Sequence, residues 1–299
     1  MSADPTLAAR PIGLLVKMFP KLSETFVLEE VLGLERLGVP LRLYTLAAPS
    51  DDVAHPAVAQ VRAPVVQVPV SLRADAGRLA WRHLRLLAQG PWRYVAALRA
   101  AAARGRQGLR DFARAGWLAG QMHHDGVAHL HTHFISSPAD VAELVSAMSG
   151  VPFSISAHAK DIYLARSTDL RRKMNAARFT VTCTEFNCRT LRRAAPQASV
   201  HRMYHGIDAG VFHPSRRAVP SLVPLLLSVG RLREKKGLDT LIEACRLLNG
   251  RGVPFRCEIV GYGEEQERLA ALIEAHRLGD QVQLIGKLTR EQVIDRYAR

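Results

Sequence analysis

Two groups of residues in this chain have types and spacings suited to chemistry: a cationic loop in its last third and a set of histidines in its middle. The loop lies within Leu225 to Ala244, LLLSVGRLREKKGLDTLIEA. The apolar run Leu225 to Val229 is long enough for one buried strand, and Gly230 ends it. A charged loop follows, Arg231 to Lys236. Gly237 then precedes Leu238, Leu241, Ile242 and Cys245, which share one face at helical spacing. Backbone N–H groups at a helix start lack partners, and the helix dipole favours negative charge there. Arg231 could grip a phosphate with its planar fork, and Lys235 or Lys236 could add a point charge. A solvated loop between strand and helix is the plainer alternative, because glycine-and-charge loops are weak signals by themselves.

The histidines need a sheet to position them. Pro11 to Met18 reads as a first buried strand. The loop FPKLSET follows, then a helix from about Glu24 to Leu37 that Gly38 ends, then a strand from Leu41 to Leu46. That order is the first unit of a parallel, doubly wound sheet. Val127 to His133, VAHLHTH, and Pro152 to Ala157 are further strands. His133 and His158 therefore fall at strand C-terminal ends, as does the FPKLSET loop. In open α/β sheets ligands bind beyond those ends. A lone histidine there is more often a hydrogen-bonded structural residue; three sequence-distant polar elements at one rim carry more weight. His129, His131 and His133 alternate and share a strand face, a geometry open to a metal ion. No carboxylate is spaced with them in the sequence, so no metal is expected.

Length and composition bound the rest. A chain of 299 residues suits about two domains. Lysine and arginine exceed aspartate and glutamate, for a formal net charge of +14. That excess suits an acidic partner or reflects an arginine-rich composition. Four scattered cysteines, Cys183, Cys188, Cys245 and Cys257, argue against a disulfide frame or a zinc site. No run approaches the ~20 apolar residues of a membrane span. The polar start, MSADPTLAAR, is unlike a signal peptide. A cytoplasmic location is expected, with a peripheral position at the inner membrane face as an option.

Between Gly77 and His124 the chain is strongly basic, with tryptophans and leucines interleaved. Two or three amphipathic helices are expected there, broken near Gly90-Pro91 and Gly105. Such helices can lie on an anionic membrane or pack on the sheet with their arginines in water. No aromatic platform or known module supports nucleic-acid binding. A helix is expected from Ser137-Pro138 to Met148, capped by Gly150, and another from about Glu185 to Ala194. Strands are expected at 65–68, 179–183 and 200–204. Ser215 to Pro224, short, basic and proline-containing, reads as a linker. Beyond it, Phe255 to Gly261 and Gln281 to Ile285 are strands, Glu264 to His276 is a helix, and Thr289 starts another.

Several of these segments resemble one family. GRLREKKGLDTLIEA is similar to the G-R-L-x-x-x-K-G-x-x-x-L-I-x-A segment of the family 4 (group 1) glycosyltransferases. FPKLSETF, HTHF and PFSISAHAKDIY resemble its exopolysaccharide (colanic-acid-type) branch. The resemblance implies the GT-B architecture: an α/β fold of two Rossmann-like domains. These would be an acceptor-side domain over residues 1–214, the linker 215–224, and a nucleotide-sugar-binding domain over 225–299. That second domain looks incomplete, because nothing after Leu288 matches the family's later acidic E-x7-E segment. An unpaired sheet edge and poor solubility are then expected.

The resemblance also implies roles. Arg231 and Lys236 would contact the donor diphosphate, with Gly261 and Gly263 of the G-x-G loop against the nucleotide; Tyr262 departs from a common acid. His158 would touch the donor sugar beside the scissile bond. Lys21, Ser23, His133 and Asp161 would lie on the acceptor side, with Asp161 either orienting His158 or binding acceptor. Gly206 and Asp208 match the interdomain hinge segment, where His205 replaces the usual asparagine. The implied reaction is retaining transfer from a nucleotide-sugar to a glycan or lipid-linked acceptor in polysaccharide assembly, with no cofactor and no metal. The alternative is a non-catalytic remnant that binds anionic glycan or membrane. Another enzyme of the same architecture is a third reading, but a phosphorylase would need a pyridoxal lysine site, and none is recognisable.

Overall fold

A computed structural model describes residues 10–21, 24–49, 55–69, 76–206, 210 and 223–298. The chain forms two compact units, Met1–Gly206 and Ile207–Arg299. Of the linker expected at 215–224, only 223 and 224 lie within the described residues.

The first unit is built on seven parallel strands. They are β1 (Ile12–Val16), β2 (Leu41–Thr45), β3 (Val65–Gln67), β4 (His129–His133), β5 (Phe153–Ala157), β6 (Thr180–Thr182) and β7 (Val200–Arg202), in the order β3-β2-β1-β4-β5-β6-β7. The order reverses at β1 and β4, the switch point where such sheets bind ligands.

Both sheet faces are covered, so the inner strands read as nearly continuous apolar runs. Leu14, Val16, Leu41 and Leu43 point to one face and pack on Val27, Leu28 and Val31 of α1 (Thr25–Arg36). Leu15, Tyr44, Leu130 and Ile155 point to the other. They pack on α4 (Gly105–His124) and α5 (Ser137–Ser149) in the larger core. Leu14 pairs with His131 in register, and His131 with Ser154. The odd-numbered histidines of β4 therefore lie on the α1 face, among a polar column flanked by apolar rows.

The basic stretch forms three helices: α2 (Ala76–Gln89), α3 (Pro91–Ala102) and α4. The breaks fall at Gly90-Pro91 and at Gly105, as the sequence suggests. Proline suits the first turn of α3 because its missing N–H has no helical partner anyway. Gly150 takes the left-handed conformation that ends α5, at φ 78°.

Two helices were not legible: α6 (Ala159–Leu164) and α7 (Ser167–Ala176). In α7 only Leu170, Lys173 and Met174 are buried, too few apolar residues for a periodic signal. A buried cation anchors it. Lys173 Nζ donates to the carbonyls of Ile135 at 2.7 Å and Ser136 at 3.2 Å, and pairs with Asp140 at 2.8 Å. Burial would pull its pKa down, and it does so despite Asp140. Glu185–Ala194 forms α8, with Thr184 accepting the Asn187 N–H at its start.

The second unit has three parallel strands, β8 (Leu225–Val229), β9 (Arg256–Val260) and β10 (Val282–Gly286), in the order β10-β9-β8. Helices α9 (Leu238–Gly250), α10 (Gln266–Ala275) and α11 (Arg290–Tyr297) accompany them. Ile242, Cys245, Cys257, Ile259, Leu269 and Leu278 centre the core. Among the described residues β8 pairs only with β9, and its side chains are half-buried or exposed. All four cysteines are free. No helix among the described residues is long and apolar enough to cross a membrane.

Candidate functional site

In the first unit the strand ends bring five elements to one cluster. His133 closes β4 and is fully buried; His158 follows β5 and starts α6. His133 Nδ1 lies 3.4 Å from His158 Nε2. The other nitrogen of His133, Nε2, lies 3.5 Å from a carboxylate oxygen of Glu30, on α1. The His158 ring stacks on His205, just beyond β7, with centroids 5.5 Å apart at 12°. Phe26 and Phe134 each lie 4.7 Å from it, tilted.

A reciprocal cap fixes His158. The Asp161 carboxylate accepts the His158 N–H at 2.9 Å, and the Asp161 N–H donates to the His158 carbonyl at 3.1 Å. The second Asp161 oxygen accepts the Ile135 N–H. Asp161 is thus a buried strut between the β4–α5 loop and α6. Burial raises its carboxyl to about 6, against the pull of those N–H groups and of Lys173. His158 Nε2 faces His133 Nδ1, one nitrogen of the pair donating and the other accepting. On its far side His133 turns Nε2 toward the Glu30 carboxylate.

Charge follows from this environment. Burial first, then the neighbouring His133 and His205, lower the His158 pKa to about 3. His131 falls to about 3 for the same first reason, helped by His133. Burial alone would raise Glu30, but the His133 contact and the surrounding imidazoles outweigh it and hold Glu30 below its ordinary value. At neutral pH His131 and His158 are therefore neutral and Glu30 is ionised.

The sequence places no carboxylate near His129, His131 and His133, yet α1 delivers Glu30. The ligand atoms of Glu30, His131 and His133 all lie within 4.8 Å of one another, a group that could hold a metal ion. His129, by contrast, is taken up by Ser154 at 2.7 Å. His131 has both nitrogens near hydroxyls, Ser154 at 2.7 Å and Ser156 at 3.0 Å. Coordination would have to displace one of them.

Lys21 does not stand open to a ligand; it forms an ion pair with Glu24 one turn on. Ser23 and Asp208 lie outside the described residues, and Gly206 is exposed at the end of the first unit. Glu30, Phe26 and His205 were not picked out as site residues. The spacing of Phe26 and Glu30, one helical turn apart, was the available signal.

In the second unit the cationic loop is held by a close crossing of two backbones. Gly261 has φ 146°, and a Cβ on it would sit 1.8 Å from the Gly230 carbonyl oxygen. A Cβ on Gly263 would sit 2.2 Å from the Leu232 carbonyl oxygen. Only glycine allows this approach. The Gly230 N–H donates to Val260, and the Leu232 N–H to Tyr262, both at 2.9 Å. Leu232 is buried, which turns Arg231 and Lys236 outward as exposed cations. The Lys236 side chain lies across Gly230, its Nζ 3.9 Å from where a Cβ would be. Gly237 is left-handed at φ 62°, as the start of α9 requires. The first turn of α9 already holds an anion of its own: the Asp239 carboxylate accepts the Thr240 N–H at 2.8 Å and lies 3.4 Å from Arg268. The anion-binding character of this loop therefore rests on Arg231 and Lys236 more than on the helix terminus.

The family described as "Glycosyl transferases group 1" matches residues 214–299, which include this crossing and both cations. The chain is also similar to "Putative colanic acid biosynthesis glycosyltransferase WcaL" of Escherichia coli, 39% identical over 98 residues. It is 38% identical over 99 residues to "Amylovoran biosynthesis glycosyltransferase AmsK" of Erwinia amylovora. Each match spans 33% of this chain and 24% of the relative. The resemblance to the exopolysaccharide branch therefore holds. Among solved structures, sucrose-phosphate synthase from Thermosynechococcus elongatus has a TM-score of 0.65 at 16% identity, covering 97% of this chain and 73% of its own. A glycosyltransferase from Rickettsia africae has 0.64 at 16% identity, covering 97% and 71%. At such identity the likeness speaks for fold, the two-unit α/β GT-B class.

Proposed function

We propose that the chain is a nucleotide-sugar-dependent glycosyltransferase of exopolysaccharide assembly, acting on a glycan or lipid-linked acceptor with retention of configuration. The observation that carries this reading is the outward pair Arg231 and Lys236, set beside a glycine-only backbone crossing inside the family-matched segment. The two relatives, whose names refer to colanic acid and amylovoran biosynthesis, support the polysaccharide context.

The roles follow from charge. Arg231 and Lys236 neutralise the negative charge that grows on the departing diphosphate. Arg231 suits two oxygens at once, and Lys236 suits one as a point charge. His158 contacts the donor sugar. Its low pKa keeps it neutral, so it adds no positive charge beside a sugar ring that is itself becoming cationic. Glu30, ionised behind His133, favours that same positive charge. No residue is assigned as a covalent nucleophile, and no metal ion takes part. Gly206 and Asp208 serve as hinge positions between the units. His133 and Asp161 hold His158, and Lys21 and Ser23 border the acceptor side.

The test is release of nucleoside diphosphate from a panel of nucleotide-sugars, with and without lipid-linked acceptors. Lys236→Ala should cut turnover by about a hundredfold or more, the usual scale for removing one charge-stabilising donor. Unchanged turnover in that variant would refute the role. Diphosphate release without any acceptor would favour an epimerase-type activity instead.

A further inference from the structure

Between Ala76 and Arg110 the chain has eight arginines and no aspartate or glutamate. Three of the eight are committed within the fold. Arg82 lies over the Trp117 ring at 4.4 Å and donates to the Trp117 carbonyl and to Gln121, each at 2.8 Å. Arg85 meets His123 at 2.8 Å. Arg104 pairs with Asp140 and Glu143. The remaining five, Arg78, Arg93, Arg99, Arg106 and Arg110, are exposed.

Large apolar side chains stand out among them. Trp92, at the Gly90-Pro91 corner, is 86% exposed; Trp81 is 66% and Leu84 57% exposed on α2. On α2, Arg78, Trp81, Leu84, Arg85 and Ala88 recur every three or four residues and form one outward stripe, while Leu86 turns into the core. Leu109 is exposed between Arg106 and Arg110 on α4. A face meant only for water has no use for two open indoles. A face meant for a folded apolar partner would not be ringed by unopposed cations.

From this combination we infer that α2, α3 and the start of α4 form a docking surface for an anionic lipid bilayer. Indole rings settle at the headgroup level, where one side is wet and the other apolar. Each arginine near an anionic leaflet adds to the attraction, which falls off within a Debye length. The surface is independent of the transfer reaction: it rests on the helices of the first unit and uses none of the cluster around His158.

The test uses the full 299-residue chain with vesicles of phosphatidylcholine alone or mixed with phosphatidylglycerol. Co-sedimentation is expected with the mixed vesicles and not with the neutral ones, and added salt should release the protein. Of the three tryptophans, Trp117 is only 8% exposed, so a blue shift and quenching by brominated lipid report Trp81 and Trp92. Arg78→Glu with Arg106→Glu should weaken partitioning at least about tenfold. Trp81→Ala with Trp92→Ala should weaken it and remove the spectral shift. All four positions are exposed, and an unchanged thermal transition confirms that the variants fold. Equal binding to neutral vesicles, no binding to either, or variants that bind like the parent would overturn the proposal. So would capture of an RNA homopolymer that the anionic vesicles fail to displace.

Discussion

His158 and His133 share a 3.4 Å contact, Nε2 to Nδ1, with rings nearly parallel at 16°. The contact leads on to a carboxylate: the other nitrogen of His133, Nε2, faces Glu30 on α1. A proton on that Nε2 suits the carboxylate and leaves His133 Nδ1 to accept from His158 Nε2. Through His133, Glu30 favours one tautomer of a residue it never touches. At 3.5 Å the Glu30 contact is slack, and the His133 Nε2 has no formed hydrogen bond among the described residues. Closing that gap would align the chain.

Glu30→Gln tests the relay. The amide keeps the shape but loses the charge and can present N–H in place of an acceptor. The turnover number should fall about tenfold to a hundredfold, the scale of a mis-set reactive group, with donor KM nearly unchanged. Circular dichroism should match the parent. A turnover number equal to the parent's would show that Glu30 has no part in positioning.

Stability should drop on acidification between about pH 6.5 and 3. His158 and His131 have folded pKa values of about 3, below the ordinary histidine value. The unfolded chain therefore binds more protons across that window, and stability rises with pH there. Glu30, held below its ordinary value, acts in the same direction as the pH falls. Asp161, raised to about 6, acts oppositely between its ordinary value and 6. Two histidines and one glutamate outweigh it. Melting temperatures recorded across this range should decline toward acid, and His158→Phe should flatten the decline. A flat profile in the parent would contradict the buried, neutral state of these rings.

A chelator experiment decides the chemistry of the Glu30, His131 and His133 group. Dialysis against EDTA should leave the transfer rate unchanged, because Ser154 and Ser156 already occupy His131. Loss of rate, restored by zinc or manganese, would place an ion among these three side chains.

Gly261→Ala should unfold the cationic loop rather than merely perturb it. Its Cβ would meet the Gly230 oxygen at 1.8 Å in a backbone conformation that side chains rarely adopt. Backbone cannot yield as a flexible side chain can. A loss of about 2–4 kcal/mol is expected, combining overpacking with strain, read as an early thermal transition. Gly279→Ala, where a Cβ meets nothing within 4 Å, is the control. Equal stability of the two variants would argue against the crossing.

Local sequence was enough to specify every element but α6 and α7. Alternation in HLHTH put three histidines on one strand face, and apolar runs bounded by glycine and proline marked the parallel strands. Gly90-Pro91 and Gly105 broke the basic helices because both residues act on their own backbone. Likewise, GRLREKK announced a loop that could face an anion. Tertiary structure alone decided what those residues meet. Glu30 is distant from His133 in sequence, and only the packing of α1 on the β1–β4 face brings its carboxylate to the imidazole. α7 escaped notice because its anchor is a buried lysine bonded to the carbonyls of a distant loop, an interaction with no periodicity. The glycines of 261–263 could be read as a tight turn, but that they let one backbone press on another is a fact of contact. Periodicity is a local property and survives in one dimension. Desolvation, tautomer and close approach depend on partners supplied from elsewhere in the chain, and exist only once it has folded.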